Sequence, residues 1–258
     1  MTKKILIVGM HRSGTSFMAN FMHKAGLNLG RELIGATPSN KYGHYEDVDF
    51  LEFHERLLKI NGTTMYHNKI DKLIYDDYYL AKAKSLVYLK DMLDNEWGFK
   101  QPRATLFLDL WREILPDANY LILLRHWSLV INSLYTRELN KLSESFQFES
   151  NKYQILGQYL KMWIAYSQRL LDHLKITELS RCIIIQFDEN IESKLPKLTQ
   201  YIRNNWHFKV CDVDKHIYDE EVITQKKEMA DFTQRLDSSD VEESNRIYKE
   251  LLRYETFV

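Results

Sequence analysis

The chain has 258 residues, enough for one large domain with a real core, and its 45% hydrophobic and 28% charged residues exclude both a disordered polymer and a small disulfide-stapled scaffold. Lys+Arg 35 against Asp+Glu 36 leaves a formal net charge of -1, so no global positive field exists to hold nucleic acid and any anion site must be local. Gly 9 and Pro 4 are few for this length, which makes each glycine worth locating.

Taken in chain order, Lys4 to Val8 is an aliphatic run without alternation, the pattern of a strand buried on both faces. Gly9 ends it. His11 and Arg12 interrupt the apolar run from Ile5 too early for a secretory signal. From Gly14, Phe17, Met18, Phe21, Met22 and Ala25 recur at helical spacing, and Gly26 supplies a stop. Gly43-His44-Tyr45-Glu46-Asp47 precedes a helical pattern from Phe50 to Leu58, and Tyr45 to Trp97 reads as helical cover or an acceptor-binding region without a strand period. Phe99 to Pro102 is an extended stretch, with a helix expected from Arg103 to Leu115. Asn119 to Leu124 forms a second buried strand, followed by a helix from Trp127 to Leu139. The stripe Leu156, Tyr159, Leu160, Trp163, Tyr166, Leu170, Leu171 and Leu174 predicts a core-facing helix. Cys182 to Phe187 is a third strand, leading into a helix from Ile191 to Asn204, and Val241 to Leu252 is again helical.

Three strands each followed by a helix predict an α/β fold: three layers of P-loop type, with a central parallel sheet flanked by helices and helical insertions. Residues 1–258 are expected to form a single domain, with 45–97 and 207–258 as acceptor or cover regions. No stretch approaches the roughly 20 apolar residues of a spanning helix. Cys182 and Cys211 lack partners at metal-ligand spacing and read as idle thiols, which fits a cytoplasmic setting.

Three groups of residues carry chemistry. Gly9-Met10-His11-Arg12-Ser13-Gly14-Thr15-Ser16 lies between a buried strand and a helix start, where successive N–H groups and the helix dipole bind anions. A nucleoside-triphosphatase loop would place Lys after the second Gly, but that position is Thr15 and the cation is Arg12, suited to bidentate oxyanion contact. Arg125 follows the second strand where such enzymes carry a metal-binding carboxylate, and Ser133 stands eight residues on; the pair grips a second phosphate, or Arg125 is a salt-bridge partner. Arg137 serves the same pocket or caps its helix. Glu46 and His44 are alternative bases for an acceptor hydroxyl, though Asp47 and Asp49 also suit a helix N-terminus. Lys100 meets charge on a leaving oxygen or is a solvated strand-end charge, and Arg103 stands beside it.

Together these motifs resemble the sulfotransferases that use 3′-phosphoadenosine-5′-phosphosulfate (PAPS), in particular bacterial and Golgi-type glycan sulfotransferases. Arg12-Ser13-Gly14-Thr15-Ser16 is similar to the family's 5′-phosphosulfate loop, and Arg125 with Ser133 to its 3′-phosphate motif. Lys100-Gln101-Pro102-Arg103, Trp111 and Leu115-Pro116 resemble the pattern around a family Lys-Asp-Pro, and Phe187 to Ile191 a turn after a strand. The chain departs from the family at Gln101, where Asp is usual, and at Trp127, where Pro is usual and whose loss should loosen the turn after Arg125.

The resemblance implies a PAPS-dependent enzyme that transfers a sulfuryl group to an acceptor hydroxyl, with a carbohydrate as the leading acceptor and without a metal. Glu46, Lys100 and Arg12 are the implied catalytic residues; His11, Arg12, Ser13, Gly14, Thr15, Ser16, Arg125 and Ser133 the implied cofactor-binding residues. A sulfuryl group carries less negative charge than a phosphoryl group, so fixed Arg and Lys suffice where kinases use Mg²⁺. The competing readings are a P-loop kinase of a small metabolite, with Asp188 as a metal carboxylate, and a nucleotide-binding module without catalysis. Tyr66 to Tyr88 is either a sugar-stacking surface or half-buried packing. Oligomeric state and the loop that closes over the cofactor are not read from the sequence.

Overall fold

Ile5, Leu6, Ile7 and Val8 are all fully buried, because alternation along the strand sends Leu6 and Val8 to one face of a sheet and Ile5 and Ile7 to the other, and each face has its own core. The structure, a computed structural model, describes residues 2–37, 43–141, 151–213 and 233–257, with only the backbone at 140 and 141. Its elements run β1 (Lys3–Val8), α1 (Thr15–Lys24), α2 (Val48–Ile60), α3 (Asp77–Leu93), β2 (Glu96–Lys100), a 3₁₀ segment (Pro102–Phe107), α4 (Leu108–Ile114), β3 (Asn119–Leu124), α5 (Trp127–Lys141), α6 (Lys152–Ile176), β4 (Cys182–Gln186), α7 (Ile191–Asn205) and α8 (Ser238–Leu252).

The four strands are parallel, in the order β2-β1-β3-β4, with Leu6 opposite both Phe99 and Tyr120 and Leu124 opposite Gln186. From β1 the chain goes to β2 on one side and then crosses to β3 on the other. A crevice between the carboxyl ends of β1 and β3 follows from that reversal, and ligands of open α/β sheets bind in such a crevice. The three-layer α/β fold read from the sequence is the one observed. Helices α1 and α7 cover the Ile5 and Ile7 face; α2 to α6 and α8 build the core on the Leu6 and Val8 face.

Two local readings need correction. The stretch ending at Pro102 is a fourth strand, β2, and the helix expected from Arg103 to Leu115 divides into a 3₁₀ turn with Pro102 at its start and the short α4. The expected loosening after Arg125 is also absent. Trp127 is buried and its indole N–H donates to Asn245 Oδ1 at 2.9 Å, while the Ser128 N–H donates to His126 Nδ1 at 3.3 Å, so side chains hold the turn that Pro would have stiffened.

A buried histidine braces α2 beneath the site. His54 Nδ1–H donates to the Phe50 carbonyl at 2.6 Å and Nε2 accepts from the Trp111 indole at 2.9 Å, which fixes the neutral tautomer. Burial pushes its pKa down to about 3. At the far edge of the sheet, the Thr256 N–H donates to Ile184 O at 2.9 Å, the Ile184 N–H donates to Thr256 Oγ1 at 3.0 Å, and Glu255 accepts from the Gln186 N–H at 3.4 Å. The C-terminal segment thus occupies the open side of β4, where unpaired backbone would otherwise invite another chain. Residues 214–232, within the expected cover region, lie outside the described residues. No described helix is long and apolar enough to cross a membrane.

Candidate active site

The loop after β1 can turn only because two of its residues are glycine. Gly9 (φ 142°) and Gly14 (φ 87°) are left-handed, and a Cβ at Gly9 would lie 2.5 Å from Leu123 O, at Gly14 2.3 Å from the Phe187 ring. Arg12 shares the left-handed region at φ 68°, an uncommon conformation for a side-chain-bearing residue, of the kind concentrated at functional sites. Thr105 Oγ1 accepts from the Gly9 N–H at 3.0 Å, tying the loop to the 3₁₀ segment. Thr15 opens α1 immediately behind Gly14, and this N-cap glycine supplies no side chain to cap the helix, whose N-terminal end meets the loop.

The residues that follow the strands converge on this loop. Arg125, after β3, donates to the Arg12 carbonyl at 3.0 Å and packs its guanidinium 5.5 Å from the Phe187 ring centroid. Arg12 Nε donates to Ser133 Oγ on α5 at 2.9 Å. Burial, and then the neighbouring Arg12, pull Arg125 down to about 10. Lys100, at the end of β2 and only 2% exposed, donates to Ser16 Oγ at 3.1 Å and to Glu46 Oε1 at 2.7 Å. It is a buried partner in the site, not a solvated charge.

Glu46 is gripped from both sides, its Oε2 accepting from Gln101 Nε2 and from Arg103 NH1, each at 3.2 Å. Burial alone would raise its pKa, but Lys100 and Arg103 outweigh that and hold the carboxyl below its usual 4.5. Lys100 is lowered, since burial, Arg103 and Arg12 oppose its charge and only Glu46 supports it. The Gln101 that departs from the family pattern therefore has two tasks here: binding Glu46, and accepting from the Arg103 N–H at 3.3 Å to start the 3₁₀ turn. Arg103 also pairs with Glu55 at 2.6 Å.

Arg12, Ser16, Glu46, Lys100 and Arg103 line one cavity of about 180 Å³, together with His11, Thr15, His44, Met65 and Arg137, while Arg125 and Ser133 bond Arg12 from outside that lining. Four cations, Arg12, Lys100, Arg103 and Arg137, line it with a single carboxylate, Glu46, and although Glu55 and Glu138 pair with Arg103 and Arg137 from outside the lining, the positive charge that remains favours an anion. His11 Nε2 is buried there without a hydrogen-bond partner among the described residues, its ring edge-on to Tyr166. Burial and then Arg103, Lys100, Arg137 and Arg12 push its pKa well below 6.5. His44 is lowered too, chiefly by burial, and its Nε2 is 3.0 Å from Thr37 Oγ1. Arg137 bonds Glu138 at 3.0 Å, which makes it a cavity residue with its own counterion.

His11, Arg12, Thr15, Ser16, His44, Glu46, Lys100, Arg103 and Arg137 thus line one crevice, Arg125 and Ser133 are bonded to it through Arg12, and Asp47 caps α2 by accepting from the Asp49 N–H at 3.1 Å. Asp188 lies apart from the cavity lining, with Lys194 3.5 Å away, and no metal-holding cluster is found among the described residues. Sequence reasoning did not single out Thr105, the Gln101 side chain, or Phe187 as the wall of the Gly14 turn; only a Pro102 turn signal and a strand-end aromatic pointed near them.

The architecture has solved counterparts. A sulfotransferase from Alicyclobacillus acidocaldarius matches with a TM-score of 0.58 at 13% identity over 96% of both chains, and the sulfotransferase domain from the curacin biosynthetic pathway at 0.57 and 15% over 98% of both. Sulfotransferase STF1 from Mycobacterium tuberculosis H37Rv matches at 0.52 and 14%, over 96% of this chain and 76% of its own. At these identities the likeness is one of fold. No curated protein matches the sequence. The family described as "Sulfotransferase family" matches residues 4–202, most of the chain and all four strands with their loops, and on that ground the protein belongs to the sulfotransferase family.

Proposed function

We propose that the protein is a single-domain enzyme transferring the sulfuryl group of PAPS to an acceptor hydroxyl, with a carbohydrate as acceptor class. The observation that carries this reading is the cavity at the start of α1, lined by four cations and one buried carboxylate. The donor set fits the phosphosulfate end of PAPS: a glycine loop whose space a Cβ would fill, the N-terminal end of α1, and guanidinium and ammonium groups in excess. At about 180 Å³ the cavity is below the usual 300–1,000 Å³ of a whole-ligand pocket, so it suits the reacting end alone. Arg125 and Ser133 would hold the 3′-phosphate, the group that distinguishes PAPS from ATP.

PAPS supplies an activated sulfuryl group on a phosphate leaving oxygen. The chain's residues do the rest. Backbone N–H groups of the loop, with Arg12 and Lys100, stabilise negative charge as it develops. Glu46 takes the acceptor proton. Its carboxylate is a weak base while Lys100 holds it at 2.7 Å, and any loss of that hold as Lys100 turns toward new negative charge raises its basicity. Base strength and charge stabilisation are coupled through one ammonium group.

The test is thermal unfolding with adenosine 3′,5′-bisphosphate and, separately, with ATP and Mg²⁺. At 100 times its Kd the bisphosphate should add about 2.7 kcal/mol, or several degrees of Tm. Stabilisation by ATP with Mg²⁺ alone would overturn the reading in favour of a kinase. Arg125→Ala should weaken bisphosphate binding at least tenfold, about 1.4 kcal/mol, by calorimetry; unchanged affinity would remove Arg125 from the 3′-phosphate site.

A further inference from the structure

Arg137 connects the anion cavity to a second hollow. One end of its side chain lines the cavity; its NH2 also donates to the Tyr66 hydroxyl at 3.4 Å and to Glu138 at 3.0 Å, two residues of a hollow of about 400 Å³ completed by Asn68, Gln158 and Tyr159. The chain makes the same connection, since Met65 lines the first space and Tyr66, the next residue, the second. This volume lies in the range of small-molecule sites.

The lining specifies a ligand chemistry. Tyr66 stacks on the buried Tyr159 with centroids 6.2 Å apart and planes at 27°, yet is itself 38% exposed, so one face is backed by a second ring and the other is presented outward. An aromatic face of this kind packs against the C–H face of a sugar ring. Around it stand a carboxylate, Glu138, and an amide pair in which Asn68 Nδ2 donates to Gln158 Oε1, leaving Asn68 Oδ1 and Gln158 Nε2 out of that bond. Both hydroxyl donors and hydroxyl acceptors can be met here. Among the described residues that line the hollow none is aliphatic, which favours a polar ligand over a lipid alcohol, and the charge of Glu138 is met by Arg137, which favours a neutral one.

The platform is also preorganised. Tyr166 on α6 donates to Met65 O at 2.9 Å, the Tyr66 N–H donates to Thr64 Oγ1 at 3.2 Å, and Arg169 donates to Ile70 O at 3.2 Å, so the segment between α2 and α3 is fastened to α6 on both sides of Tyr66. Of the tyrosines in the 66–88 stretch only Tyr66 is among the described residues that line this hollow: Tyr75 bonds Glu113, Tyr78 and Tyr79 pack against each other, and Tyr88 is exposed on α3.

We infer that this hollow is the acceptor subsite and that it seats a neutral carbohydrate ring, with Tyr66 as the stacking platform and Gln158 as a hydroxyl-binding residue. The inference rests on the sulfuryl-transfer reading for its role. Its test is binding of the full chain to an array of neutral oligosaccharides, with and without saturating adenosine 3′,5′-bisphosphate, for the wild type, Tyr66→Ala, Tyr66→Phe and Gln158→Ala. A subset of neutral glycans should be retained, at least tenfold more weakly by Tyr66→Ala and Gln158→Ala and within threefold by Tyr66→Phe, which keeps the ring. Bisphosphate affinity should stay within twofold throughout. Bisphosphate binding without retention of any neutral glycan, or equal retention by all variants, overturns the subsite. A chain that binds no bisphosphate overturns the donor reading instead, while glycan retention that depends on Tyr66 upholds the hollow in either case.

Discussion

Glu46 is the residue on which charge, stability and chemistry meet. Replacing it by Gln leaves Lys100 buried without its carboxylate and should cost about 3 kcal/mol of stability, measured by denaturant unfolding. The same change removes the carboxylate that lines the cavity with four cations, so bisphosphate binding should tighten severalfold while sulfuryl transfer is lost; retained turnover would exclude Glu46 as the base. The pH dependence has a definite sign. A carboxyl held below 4.5 in the folded state contributes stability that is complete above about pH 4.5 and lost as pH falls through the lower folded value. The difference in Tm between wild type and Glu46→Gln should therefore shrink on acidification below pH 4.5. Much of this was legible in the sequence, because Gly9, Arg12 and Gly14 are neighbours and their spacing is a local property. The Lys100–Glu46 contact was not, since 54 residues separate the partners: pairing of β1 with β2 places Lys100, and the turn before α2, where the Glu46 carbonyl accepts from the Ile34 N–H at 2.8 Å, places Glu46.

At the scale of elements, the position of Glu46 depends on how α2 begins. Asp47 caps α2 and is itself held by Lys90 of α3 at 2.9 Å, with Asp49 on the same ammonium at 2.8 Å. Gly30 gives the Asp47 side chain its space, since a Cβ there would come within 1.9 Å of Oδ2. Asp47→Ala removes a cap worth about 1 kcal/mol and half of the Lys90 pairing, and Gly30→Ala should reproduce that loss without removing any polar group. Both variants should lower transfer more than bisphosphate affinity, because they shift Glu46 and leave the loop after β1 alone; a stopped assay beside calorimetry separates the two. The strands β1, β3 and β4 were readable because both their faces are buried and each holds an unbroken aliphatic run, Ile5 to Val8, Leu121 to Leu124 and Ile183 to Ile185. β2 was obscured for a physical reason: Glu96 and Lys100 at its ends have ionic partners, and Gly98 at its centre carries no side chain because a Cβ would meet Ile5 O at 2.4 Å.

For the whole molecule, buried histidines, His11, His54 and His173 among them, set the acid limit. His54 is pushed to about 3 and His173 to about 4, both chiefly by burial, and His11 lies well below 6.5. Their folded pKa values are below that of the unfolded chain, so the unfolded state binds more protons below about 6.5; stability is held above that pH and declines as pH falls toward 4. Calorimetry from pH 7.5 to 5 should show a falling Tm, and a flat profile would contradict the burial of these rings. The bonds within the crevice have a further result for selectivity. Arg12 already has Ser133, Arg125 already has the Arg12 carbonyl, and Lys100 already has Glu46 and Ser16. A ligand entering there takes part in an exchange, and its affinity is the surplus of new bonds over those surrendered. Inorganic sulfate, touching one end, recovers little more than it displaces, whereas a molecule with anionic groups at both ends satisfies the two arginines at once. These existing bonds should therefore set a threshold that an anion reaching only one end does not cross.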